Sequence, residues 1–384
     1  MSSSSDQVPE ADREAASGAT GDRSLVADPL QTGGALTPPT QAGADRPDPV
    51  PPALGWSPMA VLWDGYRRRV LGTPDVEMVP GTMVVDGRRV RYAVSDNEDA
   101  HGPDGPDSPP VWAVNIHGYF AGGGMYWRES ARLAHALGWR LVNPSLPGFG
   151  GSDPLRSDQI SLPGLAEQVR HVMDHVGAGP AVVLGHSMGA AVAAQYAHAN
   201  SGSTLGLVLR DGVATPAWKT RRGILPALLT PISPGLAIFA DLSTAMVLDL
   251  PDLFIGRLAS TLRSILPDLG RSLQTMAGTL PVGSVLMDVD LRAELAGLAA
   301  AGVPILPEWG CFDRVVGDAA AAELAAASGT HVQWVPGGHS WMLARPQGQA
   351  DLLTLVPSGR VFVDRVEQRW RLAAGPRGEL RAAV

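Results

Sequence analysis

The sequence contains a single cysteine, Cys311, among 384 residues. One thiol excludes an intramolecular disulfide framework and any metal site built from several cysteines. Basic residues form no patch, because Lys219 is the only lysine, the arginines are scattered and the formal net charge is −8. A mildly acidic chain without a basic stripe argues against nucleic acid as a partner.

Long apolar runs are also scarce. The uncharged, apolar stretch at residues 223–240 is interrupted by three prolines, which argues against a membrane span there. The N-terminus begins Met-Ser-Ser-Ser-Ser-Asp and has no basic segment followed by an apolar run, so we expect no secretory signal. A cytoplasmic protein is the resulting expectation.

Composition divides the chain into four parts. Residues 1–55 are rich in Ser, Pro, Gly, Ala and Asp without apolar periodicity, which predicts a disordered tail; a short amphipathic helix is expected at 57–69. The predicted α/β core comprises residues 56–213 and 299–356. Between its two pieces, residues 214–298 interrupt the strand pattern and predict a helical lid. The C-terminal extension, 357–384, has three large apolar residues at helical spacing, which predict one further helix on the body: Phe362, Val366 and Trp370.

Short apolar strands alternate with helices through the core. A hairpin is expected around Asp86-Gly87. Strands are then expected at 111–116, 139–143, 181–184, 205–209, 304–309 and 331–335, with helices at 125–137, 162–176, 187–200, 318–326 and 346–355. This alternation predicts an α/β fold with a mostly parallel sheet and helices on both faces.

A candidate nucleophile stands at one junction between strand and helix, in Gly185-His186-Ser187-Met188-Gly189. A serine held on a sharp turn there requires small neighbours, and the following helix N-terminus favours developing negative charge. The pentapeptide alone is weak evidence, since the chain has 45 glycines. Its position between strand and helix gives it weight.

A base and an orienting acid are expected at later strand ends. Asp313 follows the strand at 304–309, and His339 follows the strand at 331–335. The ends of parallel strands meet at one edge of a sheet, where a serine nucleophile needs both groups. Asp211, after the strand at 205–209, is an alternative acid.

The loop after the strand at 111–116 carries Gly118 and Tyr119, followed by a run of glycines at 122–124. A tetrahedral oxyanion needs preorganised N–H donors, and the backbone N–H groups of Tyr119 and Met188 are the expected pair. The glycine run is expected to let this backbone approach a substrate. The glycines of the two motifs are Gly118, Gly185 and Gly189.

Five stretches together resemble the α/β-hydrolase superfamily over about residues 80–356, in a serine-nucleophile branch with a lid like that of esterases and lipases. They are HGYFAGGG at 117–124, NPSLPGFGGSD at 143–153, GHSMGA at 185–190, EWGCFDRVV at 308–316 and PGGHSWML at 336–343. The resemblance implies Ser187 as nucleophile, Asp313 as orienting acid and His339 as base.

The expected reaction is hydrolysis of a carboxylic ester through an acyl-enzyme on Ser187, with no metal or organic cofactor. The apolar residues of 224–248 favour a hydrophobic small-molecule substrate, although they could equally pack the lid onto the core. A thioesterase, carbon–carbon hydrolase or acyltransferase with the same triad, or a non-catalytic ligand-binding protein of the same fold, remains open. The sequence does not indicate an oligomeric state.

Overall fold

A computed structural model describes residues 76–221, 228–238, 240 and 258–374. The predicted N-terminal tail and the helix expected at 57–69 lie outside the described residues. Within them, no helix is long and apolar enough to cross a membrane.

The centre of the fold is an eight-stranded sheet with the order β1-β2-β4-β3-β5-β6-β7-β8. All neighbours from β4 to β8 are parallel, and β1 and β2 form an antiparallel edge. The strands are β1 Met78–Val85, β2 Arg88–Ser95, β3 Trp112–Ile116, β4 Arg140–Pro144, β5 Ala181–His186, β6 Thr204–Arg210, β7 Ile305–Gly310 and β8 Gln333–Val335. The sequence therefore predicted every strand of the parallel part, with bounds that differ by one or two residues at most ends.

The hairpin between β1 and β2 confirms the turn signal at Asp86-Gly87. Both turn residues have positive φ angles, 48° and 76°. This conformation is the one that a two-residue hairpin requires, and Asp and Gly adopt it more readily than other residues.

Ten helices are numbered along the described residues. They are α1 Trp127–Leu137, α2 Leu162–His175, α3 Met188–Ala199, α4 Leu258–Gln274, α5 Met276–Met287, α6 Arg292–Ala300, α7 Gly317–Ser328, α8 Trp341–Ala344, α9 Gly348–Leu355 and α10 Pro357–Ala374. Helices α2, α3, α6 and α7 contribute to the apolar cluster on one face of the sheet, and α1, α9 and α10 to that on the other. Alternate β5 residues enter the two clusters, Val183 the first, Val182 and Leu184 the second.

The described part of the segment between β6 and β7 contains helices and turns and no strand. It comprises a 3-10 turn at Pro216–Arg221, helical turns within 228–240, and α4, α5 and α6. Helix α6 crosses the predicted boundary between lid and core at residue 298. Its Leu295 and Leu298 are buried in the same cluster as α3 and α7, as expected for a helix that leads into β7.

The C-terminal extension forms α10 and packs on the sheet, as its helical spacing predicted. Phe362, Val366 and Trp370 are all buried. Gly206 of β6 permits this packing, because a Cβ there would lie 2.7 Å from the Phe362 ring. The extension thus covers the sheet face opposite α3.

Candidate active site

Ser187 lies on a sharp turn between β5 and α3. Its φ of 54° and ψ of −119° place it in a region that residues other than glycine rarely adopt. The surrounding glycines make room for the turn, because a Cβ on Gly185 would lie 2.3 Å from the Gly189 carbonyl oxygen, and one on Gly189 would lie 2.3 Å from that of Ile116. The backbone N–H of Ser187 donates to the Arg210 carbonyl at 2.9 Å, which fastens the turn to β6.

His339 and Ser187 line the same cavity, and Asp313 stands behind the imidazole. The His339 Nδ1 and Asp313 Oδ2 atoms are 3.1 Å apart. Asp313 Oδ1 also accepts the N–H groups of Val315 at 2.7 Å and Val316 at 3.2 Å. Burial opposes ionisation of this carboxyl, but His339 and the two N–H donors outweigh it and hold its pKa below the usual value.

Asp211 lies beside this pair without being the partner of the imidazole. Its Oδ1 accepts the Gly310 N–H at 2.8 Å, and its Oδ2 accepts the Trp341 Nε1–H at 2.9 Å. Burial, together with the charge of Asp313, raises the pKa of Asp211 well above its usual value. Two adjacent buried carboxyls do not both ionise readily, which is the physical reason that the two pKa values shift in opposite directions.

Two buried histidines connect the loops of the site. The His117 Nε2 accepts the Leu146 N–H at 2.9 Å, so we assign the ring proton to Nδ1, which donates to the Gly118 carbonyl at 2.7 Å. Burial lowers the pKa of His117 to about 4, which keeps it neutral. These hydrogen bonds tie the loop after β3 to the loop after β4.

His186 and Tyr126 form a second connection, which we call the Tyr126–His186 bridge. The Tyr126 hydroxyl accepts the Gly118 N–H at 3.3 Å and donates to His186 Nδ1 at 2.6 Å. His186 Nε2–H then donates to the His339 carbonyl at 2.8 Å. Burial lowers the pKa of His186 well below its usual value, which maintains this neutral tautomer. The bridge therefore joins three loops that carry site residues.

The expected oxyanion loop lies against Ser187, although its glycine run contacts something other than the cavity. A Cβ on Gly118 would lie 3.3 Å from the Ser187 Cβ. Gly122 and Gly124 instead make room for Asp268 of α4, since a Cβ on either would lie 2.6 or 2.7 Å from its Oδ2. The close neighbour of these two glycines is thus a carboxylate of the segment between β6 and β7, and the approach of the run to a substrate stays a prediction.

A buried cluster of ionisable and polar side chains joins strands β3, β6 and β7 to the neighbouring helices. Arg210 of β6 is fully buried, forms an ion pair with Glu129 and donates to Asn115 Oδ1 at 2.5 Å. Glu308 is its neighbour in the β6–β7 register and accepts the Gln349 side-chain N–H at 2.9 Å. Burial raises the pKa of Glu308 to about 8. Charged residues at the ends of apolar strands were the available sequence signal for this cluster, which sequence reasoning missed.

The cavity over Ser187 has a volume of about 50 Å³. Ser187, His339, Gly118 and Tyr119 are among the residues that line it, and most of its wall is apolar. The N–H groups that begin α3, including that of Met188, have no partner within the helix. Negative charge that develops at Ser187 would therefore face these donors.

One group of described residues has the composition of a metal site. Ligand atoms of Asp211, Asp313 and His339 lie within 4.8 Å of one another. The hydrogen bonds already given account for the positions of all three side chains. We therefore interpret the group as an acid–base cluster and assign no metal to it.

Comparison with known proteins agrees with this architecture. A family model of the alpha/beta hydrolase fold matches residues 113–230, from β3 to beyond β6. An esterase from Rhodococcus sp. ECU1013 superposes with a TM-score of 0.54 and 20% identity, over 75% of this chain and 98% of its own. At that identity the likeness concerns the fold.

Two curated relatives are similar in sequence. The pimeloyl-(acyl-carrier protein) methyl ester esterase of Aeromonas salmonicida (strain A449) is 29% identical over 224 residues, 57% of this chain and 82% of the relative. The magnesium-chelatase 30 kDa subunit of Rhodobacter capsulatus is 33% identical over 93 residues, 24% of this chain. The chain spans only 32% of the length of that subunit.

Proposed function

From its α/β-hydrolase fold, we propose that this chain is a serine hydrolase that cleaves a carboxylic ester with an apolar acyl or alcohol part. One observation carries the proposal: Ser187, on its turn at φ 54°, shares a cavity with His339, whose Nδ1 lies 3.1 Å from Asp313 Oδ2. A serine hydroxyl becomes a competent nucleophile when a positioned base removes its proton. The esterases among the compared proteins support the choice of an ester.

In the proposed mechanism, His339 takes the Ser187 hydroxyl proton through Nε2 as Oγ attacks the ester carbonyl. The N–H groups of Tyr119 and Met188 stabilise the oxyanion, and Asp313 stabilises the imidazolium. His339 then gives the proton to the leaving alcohol, and an acyl group remains on Ser187. Water activated by His339 releases the acid and restores the serine.

The same first half-reaction would serve a thioesterase, a carbon–carbon hydrolase or an acyltransferase. These alternatives differ in the leaving group or in the acceptor that follows the acyl-enzyme. A panel of ester, thioester and lactone substrates at matched acyl length distinguishes them. We expect the highest kcat/KM for the esters, and a thioester preference of tenfold or more would reassign the activity.

A fluorophosphonate probe tests the proposal itself. Wild-type protein should be labelled on the peptide that contains Ser187, and Ser187→Ala should lose both labelling and ester hydrolysis. Ser284→Ala, which removes an exposed hydroxyl of α5, is the matched control and should retain both. Absence of labelling and hydrolysis in the wild type would overturn the proposal in favour of a ligand-binding protein without catalysis.

A further inference from the structure

The wall of the cavity opposite Ser187 is supplied by α4 together with loops of the core. Ile265 and Leu269, four residues apart on one face of α4, line the cavity. Phe120, Met125 and Leu343 complete the apolar wall. No Asp, Glu, Lys or Arg from the described part of the chain lines this cavity.

Hydrogen bonds hold α4 in place over the site. Asp268 Oδ2 accepts the Met125 N–H at 3.0 Å. One turn later, the Ser272 hydroxyl donates to the Ala121 carbonyl at 3.1 Å and accepts the Gly150 N–H at 3.0 Å. These contacts fasten α4 to the oxyanion loop and to the loop after β4. Ile265 and Leu269 are therefore fixed walls, and their side chains set the space beyond the reacting carbonyl.

The size and polarity of this space define what can occupy it. A cavity of about 50 Å³ is far smaller than the roughly 300–1,000 Å³ of sites that bury drug-sized ligands, so it favours a small group. A charged tail would lose its hydration there without gaining a partner among the apolar side chains. A long apolar tail would collide with Ile265 and Leu269.

We propose that the enzyme selects esters of short, uncharged acyl groups, and that Ile265 and Leu269 of α4 set this limit. The proposal rests on the serine hydrolase function proposed above. The apolar composition of the segment between β6 and β7 alone suggested a hydrophobic substrate. The proposal favours a small one, because apolar side chains that fill the space shorten the pocket.

A series of p-nitrophenyl esters from acetate to palmitate tests the limit. In the wild type, kcat/KM should be highest between acetate and butyrate and at least about tenfold lower for octanoate, since a methylene that fits or fails to fit an apolar pocket changes the rate by tenfold or more. Ile265→Ala and Leu269→Ala should each raise the octanoate-to-butyrate ratio of kcat/KM at least about fivefold. A wild-type optimum at octanoate or beyond would overturn the proposal.

Leu266→Ala is the matched control, because Leu266 lies on the same helix with 57% of its surface exposed. It should leave the chain-length profile unchanged. If both wall variants also left the profile unchanged while acetate hydrolysis persisted, the size limit would be refuted and the serine hydrolase assignment would stand. If the fluorophosphonate probe did not label the wild type, the serine hydrolase assignment would be refuted instead.

Discussion

Two aspartates at neighbouring strand ends show how individual hydrogen bonds separate similar residues. Asp313 receives two backbone N–H groups and the His339 Nδ1 atom, while the Asp211 oxygens receive Gly310 and Trp341. The sequence predicted both as candidates because each follows an apolar strand. It could not rank them by geometry, since the distinction depends on partners up to 130 residues away.

Asparagine substitutions at these positions should have unequal effects. We expect Asp313→Asn to lower kcat by about 1,000-fold or more, because the His339 ring loses its orienting anion. Asp211→Asn should cost less than about tenfold, because burial already disfavours the charged form of this carboxyl. Steady-state kinetics on p-nitrophenyl butyrate measures both, with thermal unfolding to confirm that each variant is folded. The opposite ranking would identify Asp211 as the orienting acid.

At the scale of elements, the site depends on loops being held at one edge of the sheet. The positions of these loops could be predicted, because turns, strands and helices each have a local sequence pattern. The Tyr126–His186 bridge was not predictable in the same way, since its two side chains are 60 residues apart and Tyr126 belongs to none of the motifs. The apolar residues of α4 were ambiguous as well, because the same pattern suits core packing and a cavity wall.

Removing the bridging hydroxyl tests this connection. Tyr126→Phe leaves the buried His186 Nδ1 without its donor and releases the Gly118 N–H, which costs about 1–3 kcal/mol if both remain buried. We expect kcat to fall about tenfold or more while KM changes less, because the loops carrying the oxyanion donors and His339 lose their common anchor. Tyr92→Phe, on β2 and away from the cavity, is the control. An unchanged kcat in Tyr126→Phe would contradict the positioning role.

At the scale of the whole molecule, a buried ionisable carboxyl in the sheet makes the free energy of unfolding depend on pH. Glu308 is fully buried beside Arg210, with a pKa of about 8 in place of the ordinary 4.5. Between these two values the folded protein keeps a proton that the unfolded chain has released. The free energy of unfolding should therefore fall as pH rises from about 4.5 to 8, by up to about 1.4 kcal/mol per pH unit.

Glu308→Gln removes this titration and keeps a carbonyl oxygen for the Gln349 donor. Its free energy of unfolding should decline less between pH 6 and pH 8 than that of the wild type, as measured by urea denaturation at both values. Glu98→Gln, an exposed substitution, is the control and should follow the wild type. Equal slopes for Glu308→Gln and wild type would show that Glu308 ionises normally in the folded protein.

The parallel sheet, its two helical layers and the meeting of Ser187, His339 and Asp313 at one edge were predictable, because strand periodicity and glycine turns are local features of the sequence. Arg210 and Glu129 illustrate what was not. They are 81 residues apart, and only the assembled sheet places a guanidinium against a carboxylate away from water. Long-range polar pairs of this kind depend on the whole fold.

The position of helix α4 has a consequence for evolution. The groups proposed to make and break bonds lie at the edge of the sheet, whereas the side chains proposed to limit acyl length lie on one helix between β6 and β7. Variation confined to that helix can retune substrate choice while leaving the chemical machinery intact. Because the two functions lie on different elements, a few apolar substitutions in α4 would let related enzymes hydrolyse different esters with the same catalytic residues.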